Sequence, residues 1–217
     1  MKDMRSALPY IAPYFAFIAV GSLLASIPGI APLAYPIKTV LTAGLLVYWA
    51  RSYREIRLTF SPVAVGAGIL VFVLWIGLTA YLPWSRFHPP AEGYNPVRES
   101  LASTLFFAGF RLAGAALVVP VFEELFVRSF AIRYLVKPDD FSSVPPGTFT
   151  WFSFWGSIAL FCGGHKLWEM PAAFAAGVVY TLVLYRRREL ADCIVAHATT
   201  NLLLGIYVLL TGTWGYW

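Results

Sequence analysis

The chain has 217 residues, of which 59% are hydrophobic and only 12% charged, with a mean hydropathy of +0.69. A soluble core of this size needs far less apolar surface, so the composition excludes an ordinary soluble domain and points to a polytopic membrane protein. The net charge of +5 arises from basic residues spaced between apolar stretches rather than gathered on one polar face, which fits membrane loops and argues against binding nucleic acid.

A hydrocarbon core about 30 Å thick takes roughly 20 apolar residues in a helix. Such stretches fall at 10–27, 32–50, 63–82, 101–122 with an extension toward 135, 149–164, 171–185 and 190–210. The sequence therefore predicts an all-α, polytopic transmembrane helical bundle of seven spans, one integral membrane domain over residues 1–217. Lys2, Asp3 and Arg5 before the first run imitate a signal peptide, yet apolar sequence continues past Ala25, Ser26 and Ile27, and an uncleaved first span is expected. Pro28, Gly29 and Pro32 turn the first two spans into a hairpin, Pro83 closes the third, and Pro138 with Pro145, Pro146 and Gly147 marks a loop.

Basic residues then sort by side. Lys2, Arg5, Arg51, Arg54, Arg57, Arg128, Arg133, Lys137, Arg186, Arg187 and Arg188 fall on one side, and only Arg86, Arg98 and Lys166 on the other. This 11 to 3 bias predicts a cytoplasmic N-terminus and an external C-terminus. Trp84, Trp151, Trp168, Trp214 and Trp217 stand near span ends, where interfacial anchors belong. Cys162 and Cys193 lie in apolar segments and read as small buried hydrophobes.

Three polar islands interrupt the apolar sequence between residues 101 and 210, and nothing like them stands in residues 1–100. They are Glu123 and Glu124 with Arg128; Phe161, Cys162, Gly163, Gly164 and His165; and His197 through Asn201. An ionised side chain at bilayer depth costs at least about 2.5–3.5 kcal/mol, so paired acids there mark a functional site by default. Residues four apart share a helix face, which pairs Glu124 with Arg128, Phe161 with His165, and His197 with Asn201. A carboxylate beside an imidazole is what water activation requires, and a second imidazole and an amide suit stabilisation of an oxyanion. Burial disfavours the ionised glutamates while Arg128 favours them. No serine in these islands has a base partner.

Blander readings exist for each element. Glu124 with Arg128 alone fits a neutralising pair that lets a helix end at the interface, and lone membrane histidines and Asn201 fit interhelical hydrogen bonding. Phe161 fits packing, and Gly163 with Gly164 fits a close approach or a helix break. His88, between Phe87 and Pro89–Pro90 in an outer loop, is expected to be solvated and uninvolved. Arg111 and Lys38 are expected to snorkel to the interface. What these readings leave unexplained is three islands together.

Those islands resemble a family pattern. Glu123 to Arg128 looks like the EExxxR motif, Phe161 to His165 the FxxxH motif, and His197 to Asn201 the HxxxN motif of the CPBP intramembrane proteases, which include the CAAX prenyl endopeptidases and the Abi bacteriocin-immunity proteins. The match covers roughly residues 101–210 with the motifs in family order, and three ordered motifs in apolar helices are far more specific than any one. The resemblance implies a glutamate-dependent intramembrane endopeptidase acting on a membrane-associated substrate of CAAX or leader-peptide type, in a prokaryotic cytoplasmic membrane and without a cofactor. Glu123 would be the catalytic acid and general base, assisted by His165; His197 and Asn201 would form the oxyanion hole; Glu124, Arg128 and Phe161 would support them. Membrane lipids and a membrane-bound peptide or protein are the implied partners. Two other classes stay open: a non-catalytic scaffold or immunity protein keeping a polar pocket, and a zinc-dependent metallopeptidase using Glu123, His165 and His197, with Cys162 and Cys193 nearby. The lack of an HExxH spacing counts against zinc.

The span count raises one conflict. It places Glu123 and His197 toward the cytoplasmic side but His165, after the 149–164 span, nearer the outside. A shared site requires that span to be tilted, broken near Gly163–Gly164, or differently bounded.

Overall fold

The computed structural model describes residues 2–57, 59, 61–89, 93–96 and 100–217. Pro90 and Arg98 of the expected outer loop lie outside them. The elements are α1 (Lys2–Ala25), α2 (Ala34–Tyr48), α3 (Pro62–Tyr81), the long helix α4 (Leu101–Val136), α5 (Trp151–Gly163), α6 (Met170–Arg187) and α7 (Leu190–Thr211). Among the described residues there is no strand, and six helices are long and apolar enough to cross a membrane. The exception is α5, expected as a full span. Its 13 residues rise only about 20 Å, two-thirds of the hydrocarbon thickness.

The length of α5 removes the depth conflict. The chain turns back at Gly164–Lys166, and His165 stands beside residues of α4 and α7 on one cavity. The boundary of α4 matters equally. It continues 13 residues past Glu123 to Val136, which lifts Glu123 about 20 Å above that end. The Glu124–Arg128 pair therefore does not end a helix, contrary to the bland reading.

Two π-helical segments, Gly114–Val118 and Leu125–Ala131, bracket the turn of α4 that carries the paired glutamates. Pro120 accounts for the first. In π register the carbonyl of Ala115 looks five residues on for a donor, and Pro120 has no N–H to give. Asn201 Nδ2 donates to Ala115 O instead, at 2.8 Å, and ties α7 to α4.

Proline acts in the same way in α1. Pro13 leaves the carbonyl of Pro9 without its helical donor, and the hydroxyl of Tyr53 donates to it at 2.9 Å. That bond pins the loop after α2 to the start of α1, which packs on α2 as a hairpin and on α4 through Tyr14, whose ring stacks on Phe126 at 4.3 Å. The helices α3, α6 and α7 pack together. The closest crossing is at Gly68, where a Cβ would come within 2.4 Å of Ala196 O. Thr200 Oγ1 donates to Gly68 O at 2.9 Å, fixing α7 one turn from His197. At the far end of α7, Asp192 accepts from Ser61 N at 2.8 Å and Arg187 Nε at 2.7 Å, stapling α3, α6 and α7.

Candidate functional site

The three polar islands converge. Glu123, Phe161, His165, His197 and Asn201 all line one cavity of about 190 Å³ between α3, α4, α5 and α7, and Glu124 and Arg128 sit directly behind its wall. The site residues read from the sequence are thus brought together by α4, α7 and the end of α5.

Glu124 organises the wall. It is fully buried, and its Oε1 accepts from His197 Nδ1 at 2.9 Å and from Arg128 at 3.3 Å. Arg128, also fully buried, donates its other terminal nitrogen to Gly177 O at 3.4 Å and lies 4.3 Å from the centre of the Phe161 ring. The guanidinium is thus held by a carboxylate, a carbonyl and an aromatic face, with Nε left without a hydrogen-bond partner. Arg128 therefore serves the glutamate next to it rather than the cavity.

The bond to Glu124 fixes the histidine. With Nδ1 committed, His197 turns Nε2 toward Glu123, whose Oε2 is 3.9 Å away. The ring is clamped in that plane by Tyr180, stacked at 5.1 Å, and by Phe161 edge-on at 5.8 Å. Tyr180 is itself held by its hydroxyl, which donates to Thr200 Oγ1 at 2.7 Å. Glu123 differs from its neighbour in lining the cavity and being partly open to it; the Oε2 of each glutamate is buried without a hydrogen-bond partner.

His165 is oriented by backbone. Its Nδ1 lies 2.8 Å from Phe161 O, and because a carbonyl only accepts, Nδ1 carries the proton and Nε2 is free. Its ring packs on Phe161 at 4.6 Å and on Trp75 of α3 at 5.4 Å. Gly164 permits the turn that presents it, since a Cβ there would lie 2.6 Å from the Tyr14 hydroxyl. Phe161, beyond packing, is the common floor under Arg128, His165 and His197.

Several expectations are corrected. Arg111 and Lys38 do not snorkel to the interface: both turn onto the cavity wall, held over aromatic rings. Trp168 is buried and Trp217 faces the cavity, so neither is an interfacial anchor, whereas Trp84 and Trp151 are exposed. His88 keeps away from the site, its Nδ1 3.3 Å from Trp84 O. Cys193 is buried against Tyr180 O. Among the described residues, no three of His, Cys, Asp and Glu are set to grip one metal ion. Trp75 and Tyr180 gave no signal in the sequence, because each is an ordinary residue of an apolar helix until the helices cross; Thr200 lies inside the third island but was given no role there.

Two comparisons bear on this arrangement. Residues 104–203 match the model of a family described as Rce1-like, type II CAAX prenyl endopeptidase, a segment that contains all three islands. Neither a curated protein nor a solved structure matches the chain.

Proposed function

We propose that this chain, which is type II CAAX prenyl endopeptidase-like over residues 104–203, hydrolyses a peptide bond of a membrane-associated substrate with a water activated by Glu123. The family is one of membrane proteases; the roles below are our reading of the cavity. The observation that carries it is the placing of the two glutamates: Glu124 lies behind the wall with Oε1 held by His197 Nδ1 and Arg128, while Glu123 lines the cavity with its Oε2 3.9 Å from His197 Nε2.

Glu123 takes a proton from this water as its oxygen attacks the scissile carbonyl carbon, and returns it to the amine as the C–N bond breaks. His165 Nε2 shares that proton traffic, its other nitrogen being fixed on Phe161 O. His197 donates from Nε2 to the developing oxyanion while Nδ1 stays against Glu124 Oε1. Asn201 adds a second donor, since one of its two N–H groups is taken by Ala115 O. Zinc finds poorer support, because among the described residues no three of His, Cys, Asp and Glu are grouped to hold one metal ion.

The orientation proposed is N-terminus cytoplasmic, from the basic loops at Arg51–Arg57 and Arg186–Arg188. Cysteine labelling of position 187 from outside would overturn it. The activity is tested by mass-spectrometric peptide profiling of membranes bearing the wild-type chain or Glu123→Gln. New peptide termini present only with the wild type are expected; identical profiles would sink the reading.

A further inference from the structure

The cavity that Glu123 lines is closed in part by residues that follow α7. Gly212, at φ +70°, ends that helix in the left-handed conformation with its N–H on Val208 O at 2.8 Å, and the tight turn Trp214–Tyr216 carries the chain back over the bundle. The strap Gly212–Trp217 thereby brings Tyr216 and Trp217 onto the wall shared by Glu123, His165 and Asn201. Trp217 also lines a second cavity of about 240 Å³ between α1, α2 and α4, and so stands between the two spaces. That second cavity is bounded by Ala31, Pro32, Tyr94 and Pro96, at the end of the bundle opposite the basic loops.

A hydrogen bond latches the strap to α3. Tyr216 Oη lies 2.8 Å from Thr79 Oγ1. The threonine hydroxyl already donates its single proton to Trp75 O at 2.6 Å, so the tyrosine is the donor. Trp75 is the residue whose ring packs on His165, which puts the latch one helical turn from the site. The Tyr216 ring meets Trp168 edge-on at 5.2 Å and Tyr207 at 6.0 Å, and the strap's backbone lies against Gly93, where a Cβ would fall 1.8 Å from Trp214 O. Yet none of Trp214, Tyr216 and Trp217 is fully buried. Large aromatic side chains that are seated but incompletely covered make a segment that opens at far lower cost than the helices beneath it.

We infer that Gly212–Trp217 is a latched strap that gates the cavity. Released at Tyr216, it swings about Gly212 and withdraws Trp217 from between the two spaces. They then join into one route that leads from the end of the bundle opposite the basic loops to Glu123, wide enough for an extended peptide. Both halves of the latch lie outside residues 104–203, so the device belongs to this chain's flanking parts rather than to the segment that matches the family. Losing one such bond shifts the balance between closed and open strap by about fivefold. The inference concerns access alone and stands whether or not Glu123 hydrolyses a peptide.

The test reads access without turnover. The detergent-solubilised full chain, with Cys162 and Cys193 replaced by Ala, carries either Val119→Cys on the cavity wall, one turn from Glu123, or Ser142→Cys on an exposed loop as a reference. Labelling by a maleimide attached to a short peptide is timed at each position. Tyr216→Phe and Thr79→Val each remove one half of the latch at nearly constant volume. Each should speed labelling at position 119 about fivefold and leave position 142 unchanged. The double variant should gain no more than either alone, since both cut the same bond. No labelling at position 119, or a rate there that both latch variants leave unchanged, overturns the gate. So does equal acceleration at 119 and 142, which marks general loosening of the fold. Multiplicative gains in the double variant overturn the latch, because the two side chains would then act separately.

Discussion

Helix α4 carries two buried ionic clusters one turn apart, built from the same i, i+4 spacing, and they are finished in opposite ways. In the lower one, Arg133 donates to Ser129 O at 2.5 Å and to Glu55 Oε1 at 3.0 Å, Ser129 Oγ donates to the same Glu55 oxygen, and Tyr10 Oη donates to Glu55 Oε2 at 3.3 Å. Both carboxylate oxygens are taken, and the cluster locks the loop after α2 onto α4. In the upper one, Glu124 Oε1 is shared by Arg128 and His197, Glu124 Oε2 and Arg128 Nε have no partner, and Glu123 lines the cavity with an unpartnered Oε2. A closed cluster holds a fold together; an open one can act on something else. A carboxylate kept desolvated without a partner is expensive, and such strain belongs at functional sites.

The largest effect should come from the open end. Glu123→Gln keeps the volume and removes proton acceptance, so turnover of a reconstituted substrate should fall by at least about 10³ with insertion unchanged. Glu124→Gln keeps a weaker acceptor for His197 and should lose less, about 10-fold to 100-fold. If the two variants lose equally, the division between the glutamate behind the wall and the one lining the cavity fails. A strong chelator belongs in the same assay: inhibition with zinc rescue would replace the water-only mechanism with a metal one.

Next in size are the groups assigned to the oxyanion. His197→Ala and Asn201→Ala should each lower kcat by about 10²–10³. The double variant should lose less than the product, because they share one developing charge. Fully multiplicative losses would separate their roles, leaving Asn201 as the interhelical tie to Ala115 O.

The closed cluster should respond in stability and not in chemistry. Removing one partner of a buried ion pair costs roughly 3 kcal/mol or more, and Glu55 and Arg133 are almost wholly covered. Glu55→Gln and Arg133→Met should therefore lower the unfolding midpoint in detergent markedly, while the kcat of the surviving folded protein stays within about threefold. Loss of kcat at unchanged stability would show that the lower cluster belongs to the site.

Much of this was legible in the sequence, for identifiable reasons. Charges are so costly in lipid that Glu123, Glu124, Arg128, His165, His197 and Asn201 stand out against their apolar neighbours, and helical spacing pairs them correctly. What stayed hidden depends on contacts distant in the chain. Lys38 and Arg111 looked like snorkelling residues because the ring they share, Tyr35, reaches Arg111 across 76 positions. The π segments of α4 have only Pro120 as a local sign. The shortness of α5 could not be read from an apolar stretch that continues to Cys162, and with it went the depth of His165.

The smallest effect expected tests that short helix. Thr150 caps α5: its hydroxyl accepts from Ser153 N at 3.0 Å, and Ser153 Oγ accepts from Thr150 N at 3.2 Å, a reciprocal capping box. Thr150→Ala should cost about 1 kcal/mol, a shift of roughly 2–4 °C in unfolding midpoint. His165 lies 15 residues away, anchored by its own bond to Phe161 O and by Trp75, so kcat should change less than about twofold. A tenfold fall in kcat at unchanged KM would mean that fraying at the start of α5 reaches His165. The polar wall would then be positioned by the helix as a whole and not by the local contacts around its end.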